Sequence, residues 1–297
     1  SARTRRFTLG APRTITVSGD GRRIVFLRSK GPTDPVNCLW VLDATTGDER
    51  LVADPAVLLG DGDDDDVPAA ERARRERARE QAGGITSYAT DRTTALAAFA
   101  LAGRLFTADL DSARASEVLV DGPVFDPRPD PTGERVAYVV GAELHVTTLD
   151  GISRVVAAED TPDEAIRWGS AEHIAAEEIG RQRGFWWSPT GDAIAVARVD
   201  DSPVTTWWIA NPADPGTAPT AQRYPAAGTP NSDVSLHVVA VGDDDAGADE
   251  PLDVEWDRQG FPYLTRVAWD RHGLMIAVQS RDQRNVEVRA VDHRSGA

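Results

Sequence analysis

A chain of 297 residues with 41% hydrophobic and 27% charged residues can bury a sizeable core, and its composition is that of a globular protein, not a disordered one. Its net charge of −16 repels nucleic acid phosphates and anionic lipid, so neither is an expected partner. No run approaches the ~20 apolar residues that span a bilayer, and a single cysteine, Cys38, excludes an intrachain disulfide.

The opening Ser1-Ala2-Arg3-Thr4-Arg5-Arg6 lacks an apolar signal core, so the cytoplasm is the expected compartment. A pattern then begins that recurs to the end of the chain. A small-residue turn, Ser18-Gly19-Asp20-Gly21, precedes the β-rich run Arg23 to Leu27. A second run follows, Cys38-Leu39-Trp40-Val41-Leu42-Asp43, in which Cys38 reads as a buried strand residue. An acidic stretch, 61–66, interrupts. It lacks the Gly and the bidentate Glu that a calcium loop needs, with Asp66 and Arg72 in their places. Pro68, good helix formers over 69–82 and then Gly83-Gly84 predict a solvated helix, with Arg72 and Glu76 four apart.

A weaker copy of the pattern starts at Thr90-Asp91-Arg92-Thr93 and continues through Ala95 to Leu101 and Arg104 to Asp109. A further copy runs from Asp130-Pro131-Thr132-Gly133 through Val136 to Val140 and Glu143 to Val146. Next comes Ile174-Ala175-Ala176-Glu177-Glu178-Ile179-Gly180-Arg181, which predicts a short helical excursion between repeats. Trp187-Ser188-Pro189-Thr190-Gly191 and Ala193 to Ala197 resume the pattern. A second acidic loop is expected over 243–250. A last copy runs from Trp269 to Gly273, through Leu274 to Val278, and on to Val286–Val291.

Gly and Pro fix each turn, and the β-branched runs beside it pair as a hairpin. A lone hairpin cannot bury both faces, so the copies must stack on one another. About five such units, with no βαβ alternation, predict an all-β fold: a β-propeller of four-stranded antiparallel blades with short helical insertions, over 1–297. A β-sandwich would bring its strands closer in sequence. The aromatic pairs divide: Trp186 and Trp187 are expected to pack between blades, and Trp207 and Trp208 to flank a cavity.

Glu177 and Glu178 are the candidate site. Adjacent carboxylates repel, but two that converge on one point can hold a free ammonium group, each accepting a charge-assisted hydrogen bond. His173 and Glu177 lie four apart, yet there is no His-Glu-x-x-His arrangement and no third ligand, so no metal and no cofactor are expected. His145, His237, His272 and His293 are scattered over strands and turns and read as structural.

Three features in order carry a resemblance: Glu177-Glu178 ahead of Trp186-Trp187-Ser188-Pro189-Thr190-Gly191; the run Ala195 to Val204, with Asp200-Asp201-Ser202-Pro203; and Tyr224-Pro225-Ala226-Ala227-Gly228-Thr229-Pro230-Asn231 before Val234 to Val239. This passage resembles the propeller of dipeptidyl peptidase IV and its bacterial relatives in the prolyl oligopeptidase family. The resemblance implies part of an eight-bladed propeller. It also implies that Glu177 and Glu178 bind the α-amino group of a peptide substrate with a free N-terminus, so that dipeptides are released.

The family's catalytic α/β-hydrolase domain follows the propeller. No Gly-x-Ser-x-Gly elbow occurs in this chain, so the chain alone is expected to be inactive. The family also sets an arginine beside the substrate carbonyl from an earlier blade. No counterpart stands between Ala95 and Asp111, where Arg104 reads as a turn residue. A plain prolyl oligopeptidase propeller lacks the glutamate pair, and a non-catalytic scaffold propeller is the alternative from another class. Exposed strand edges of a partial propeller predict a homo-oligomer.

Overall fold

The computed structural model describes residues 4, 8–60, 72, 83–213, 216–242 and 250–297. The acidic stretches 61–66 and 243–249 lie outside the described residues. So does the helix expected over 69–82, apart from Arg72, which is helical. The chain forms two compact units, Ser1–Val156 and Ala157–Ala297.

The first unit holds three sheets in sequence order. The first is β1 (Arg13–Val17), β2 (Arg23–Ser29), β3 (Val36–Asp43) and β4 (Glu49–Ala53), joined as neighbours in that order. After the short helix α1 (Pro55–Leu59), capped by the Asp54 carboxylate on the Ala56 N–H, the dipeptide β5 (Gly83–Gly84) pairs in parallel with β3. The two glycines expected to stop a helix therefore belong to a sheet. Gly84 has φ +72, and a Cβ there would meet the Asn37 carbonyl oxygen at 2.6 Å. The second sheet is β6 (Ala89–Thr90), β7 (Leu96–Leu101), β8 (Arg104–Asp109) and β9 (Arg114–Val118). The third is β10 (Val124–Pro129), β11 (Arg135–Val140), β12 (Glu143–Thr148) and β13 (Ser153–Ala157).

In all three the four consecutive strands run as a meander, and the sheets stack through their apolar faces. Val25, Leu27, Leu39 and Val41 of the first sheet pack with Ala97, Phe99 and Phe106 of the second. Ala98, Leu105 and Val118 of the second pack with Val124, Val136 and Tyr138 of the third. Burying each large aliphatic or aromatic side chain contributes roughly 1.5–3 kcal/mol, so the stacking of sheets carries most of the stability. Cys38 is fully buried in β3, as expected, and burial pushes its thiol up to about 12.

The second unit holds a fourth sheet, in which β14 (Ile166–Trp168) and β15 (Phe185–Trp187) both pair with β16 (Ala193–Asp200). β16 then pairs with β19 (Asp233–Ala240), and β19 with the short β20 (Leu252–Asp253). A separate two-stranded hairpin, β17 (Thr206–Ile209) and β18 (Thr220–Arg223), leaves this sheet between β16 and β19. The fifth sheet has three strands: β21 (Tyr263–Asp270), β22 (Gly273–Gln279) and β23 (Val286–Val291). One core joins the fourth and fifth sheets and includes Trp186, Leu236, Trp256, Leu264, Ile276 and Val278. Trp186 packs between blades as expected. The fold is that of propeller blades, and the described residues form five blade-like sheets besides the hairpin, against the about five units expected from the sequence.

One turn builds the first four blades. Its first residue is Ser18, Asp91, Asp130 or Ser188, and its backbone N–H donates to the carbonyl five residues on, at 2.8–3.0 Å. The side chain of that residue closes the turn from inside. Asp130 Oδ1 accepts from the N–H of Glu134 and Arg135, Asp91 Oδ1 from those of Ala95 and Leu96, and Ser188 Oγ from those of Asp192 and Ala193. The fourth position needs a left-handed backbone, which Gly21, Gly133 and Gly191 supply and Thr94 adopts at φ +59. The fifth blade departs from this. The Asp270–Gly273 link between β21 and β22 is a tight hairpin, and the six-residue turn recurs one connection later, from Ser280 to Asn285, with Gln283 at φ +59.

Candidate functional site

The glutamate pair is carried on an insertion inside one strand, not on a link between blades as the sequence suggested. β14 and β15 pair with the two ends of the same strand. Trp168 lies opposite Arg198, and Phe185 opposite Val196. Ala197, between them, closes the gap: its N–H donates to the Gly184 carbonyl at 2.8 Å, and its carbonyl accepts from the Gly169 N–H at 3.0 Å. A first blade strand is thus interrupted, and residues 170–183 leave it and return. A single bridge pairs Ser170 with Arg183 at the neck. Only glycine fits there, because a Cβ on Gly184 would lie 2.3 Å from the Gly169 carbonyl carbon.

Inside the insertion the backbone winds into a π-helical turn, Ala175–Ile179, which ends at Gly180 with φ +80. The small Ala171, Ala175 and Ala176 face inward and are buried together. This leaves Glu177 and Glu178 on the outward side, both exposed.

Two charged residues that the sequence reading passed over fasten the turn. Glu172 Oε1 accepts from the Ala175 N–H at 3.2 Å, and its Oε2 accepts from Arg181 Nη2 at 2.6 Å. Arg181 Nε donates to the Leu264 carbonyl of β21 at 2.9 Å, and its Nη1 to the Arg183 carbonyl at 2.9 Å. Each side chain of the pair is only 4% exposed. The Gln182 amide donates to the Ala176 carbonyl at 2.8 Å. The Arg183 guanidinium bonds the Phe185 carbonyl and lies 5.4 Å from the Trp186 ring centre.

The three segments that carry the resemblance gather around this insertion. Asp201 pairs with Arg167, accepts from the Ser232 hydroxyl and donates its N–H to the Ala165 carbonyl. Arg167 also reaches the Ala171 carbonyl, at 3.4 Å. Arg223 Nη1 donates to the carbonyls of Asp201, Ser202 and Val204, which holds the Asp-rich break against the base of the hairpin. Tyr224, first of the Tyr-Pro-Ala-Ala-Gly segment, meets His173 edge-on with ring centres 5.1 Å apart, and Trp207 stands 6.4 Å beyond it. Asn231, at the end of that segment, donates to the Tyr263 hydroxyl at 3.0 Å.

The remaining residues singled out from the sequence lie outside the turn. Trp207 and Trp208, expected beside a cavity, stand on the projecting β17–β18 hairpin and are 50% and 69% exposed. Arg104 is not a turn residue. It opens β8, forms an ion pair with Glu117 that holds that carboxyl below its ordinary range, and lies 5.3 Å from the Phe106 ring centre. His173 and Glu177 belong to no group of three or more metal-ligating side chains among the described residues. Among those residues no helix is long and apolar enough to cross a membrane.

Comparison with known proteins gives a consistent result. Residues 93–297 match the family model described as the dipeptidyl peptidase IV (DPP IV) N-terminal region. The chain is 23% identical over 151 residues to dipeptidyl aminopeptidase B of Saccharomyces cerevisiae, covering 49% of this chain and 18% of that protein. It is 25% identical over 175 residues to a putative dipeptidyl aminopeptidase of Schizosaccharomyces pombe, covering 54% of this chain and 21% of that protein. The chain thus matches about a fifth of the length of these relatives. Its fold is similar to that of dipeptidyl peptidase 4 of Porphyromonas gingivalis, with a TM-score of 0.69 at 20% identity, over 96% of this chain and 38% of that one.

Proposed function

The chain belongs to the dipeptidyl peptidase IV N-terminal region family, and from that premise we propose that it is the amine-recognising propeller part of a serine peptidase that removes N-terminal dipeptides. The observation that carries this reading is the exposed Glu177-Glu178 pair on a rigidly held turn. The turn projects from an interrupted blade strand and is fixed by buried hydrogen bonds at both ends.

Two carboxylates so presented accept charge-assisted hydrogen bonds from an ammonium group. An anchor at fixed distance from a nucleophile sets how many residues fit between them. Binding energy gained at the amine then serves to position the scissile bond. In this reading the nucleophile comes from a hydrolase domain joined to the propeller, peptides with a free N-terminus are the substrates, and the propeller restricts access to the site. Homo-oligomerisation is part of the same proposal, supported by the exposed aromatic hairpin.

The test uses the full-length protein with the hydrolase domain. Glu177→Gln and Glu178→Gln should each lower kcat/KM for dipeptidyl anilides by about 10- to 100-fold, the range of one or two lost charge-assisted hydrogen bonds. Hydrolysis of the same anilide without its α-amino group should be unchanged. Equal kinetics for the wild type and both variants would sink the role and leave the non-catalytic scaffold as the better account.

A further inference from the structure

The acidic pair does not hold itself in place. We propose that the buried Glu172–Arg181 ion pair is the latch that positions Glu177 and Glu178, making Glu172 and Arg181 positioning residues for amine recognition. This rests on the reading of the pair given above.

The latch brackets the turn from both ends. Glu172 caps its start through the Ala175 N–H, while the Glu172 backbone carbonyl accepts from the Ala176 N–H at 3.1 Å. Arg181 closes its end, where its own N–H donates to the Ala175 carbonyl at 2.8 Å. The two side chains meet beneath the turn, so the outward residues between them have one backbone path to follow.

Arg181 also carries an external reference. Through the Leu264 carbonyl it ties the turn to β21, a strand of the next sheet, and through the Arg183 carbonyl to the neck of the insertion. Three acceptors in three segments require a planar fork. A lysine ammonium on its flexible stem can satisfy the carboxylate but not hold all three in one geometry.

Stability alone does not explain such a pair. Desolvating two charges costs several kcal/mol each, and apolar residues of similar volume often serve as well or better. Removing one partner is costly because it strands the other charge, whereas replacing both removes the penalty and the geometry together. That asymmetry makes the latch testable apart from folding.

The variants are Arg181→Met, Arg181→Lys, Glu172→Gln and the double apolar Glu172→Met/Arg181→Met, made in the full-length protein. Three quantities are read: kcat and KM for a dipeptidyl anilide, the same for its desamino analogue, and amide hydrogen exchange over 173–183. Arg181→Met should raise KM for the free-amine substrate by 10-fold or more, on the order of the penalty for misplacing a contact by about an ångström. The desamino substrate should be unaffected, and the amides of Ala175 to Arg181 should exchange faster. Arg181→Lys should fall between it and the wild type. The double variant should recover the thermal midpoint but not the preference for the amine.

An unchanged ratio of amine to desamino hydrolysis in the double variant and in Glu172→Gln overturns the latch. If Arg181→Met does not fold, those two variants carry the test. Glu177→Gln and Glu178→Gln separate the two readings. A lower ratio there with native ratios in all latch variants defeats the latch alone, whereas a native ratio there defeats amine recognition and the latch with it.

Discussion

At the scale of single residues, burial of titratable groups inside blades sets how the protein meets acid. His237 lies on β19 with its ring centre 4.9 Å from that of Trp168, and its Nε2 is 2.8 Å from the Ser235 hydroxyl. Burial pushes its pKa below the ordinary value of 6.5. Asp253, whose carboxylate lies 3.9 Å away, and the Pro251 carbonyl oppose this, while Arg198 and Arg258 add to it. Burial lowers His145 in the same way, against the opposing pull of Glu143. Both imidazoles are therefore neutral in the fold at a pH where the unfolded chain takes up protons. Their contribution is complete above the unfolded value and is lost as pH falls through the folded one. The thermal midpoint should thus drop as pH falls from about 7 to about 5.5, below the unfolded histidine value. Carboxylates such as Glu159 and Asp192, held low by Arg198 and by the Ser188 hydroxyl, matter only in stronger acid. A His145→Gln/His237→Gln variant should show a flatter midpoint between those pH values. An unchanged slope would show that other groups control it.

At the scale of elements, the blades and the short helical excursion over 174–181 were legible in the sequence, and its place inside a single strand was not. The first-strand turns announce themselves because their chemistry is local: Ser188 or Asp130 at one end and Gly191 or Gly133 three residues later suffice. The weaker copy at Asp91 was legible too, although Thr94 carries the left-handed backbone in place of glycine. The interruption of a strand is not local. That β14 and β15 are halves of one strand depends on both pairing with β16, and periodicity along the chain does not record a shared partner. Glu172 and Arg181 were missed for a related reason. Charged residues nine apart in a short polar stretch read as solvated, and only the packed Ala171, Ala175 and Ala176 beside them reveal the burial.

The neck supplies a direct test at this scale. Gly184→Ala sets a methyl against the Gly169 backbone and should lower the thermal midpoint severely or prevent folding. Gly19→Ala, in a first-strand turn with open space around it, should leave the midpoint within a degree or two. Equal midpoints for the two would mean that the strand halves separate without cost.

At the scale of the whole molecule, two groups of exposed apolar side chains lie on the β17–β18 hairpin and on the last strand described. Trp207, Trp208 and Ile209 stand exposed on the hairpin. Val286 and Val288 are 57% and 65% exposed on β23, which pairs only with β22. Contiguous exposed apolar groups of this kind mark surfaces that are covered in use, and an unpaired strand is a template for pairing. We propose that the chain self-associates in solution through one of these surfaces. Trp208→Glu/Ile209→Glu should reduce the mass measured by light scattering to that of a monomer. If that variant remains associated and Val288→Lys dissociates, the strand edge and not the hairpin is the contact.

The interrupted strand has one more consequence. Because Gly169 and Gly184 meet back to back and the ladder to β16 resumes on the far side, the pairing of this strand with β16 is made by residues outside the insertion. The insertion is a socket: its contents can lengthen, shorten or change sequence without the sheet having to re-register. A designer could swap residues 170–183 for another loop of matching neck and give the same scaffold a different specificity, provided that the replacement brings its own counterpart to the tether on Leu264.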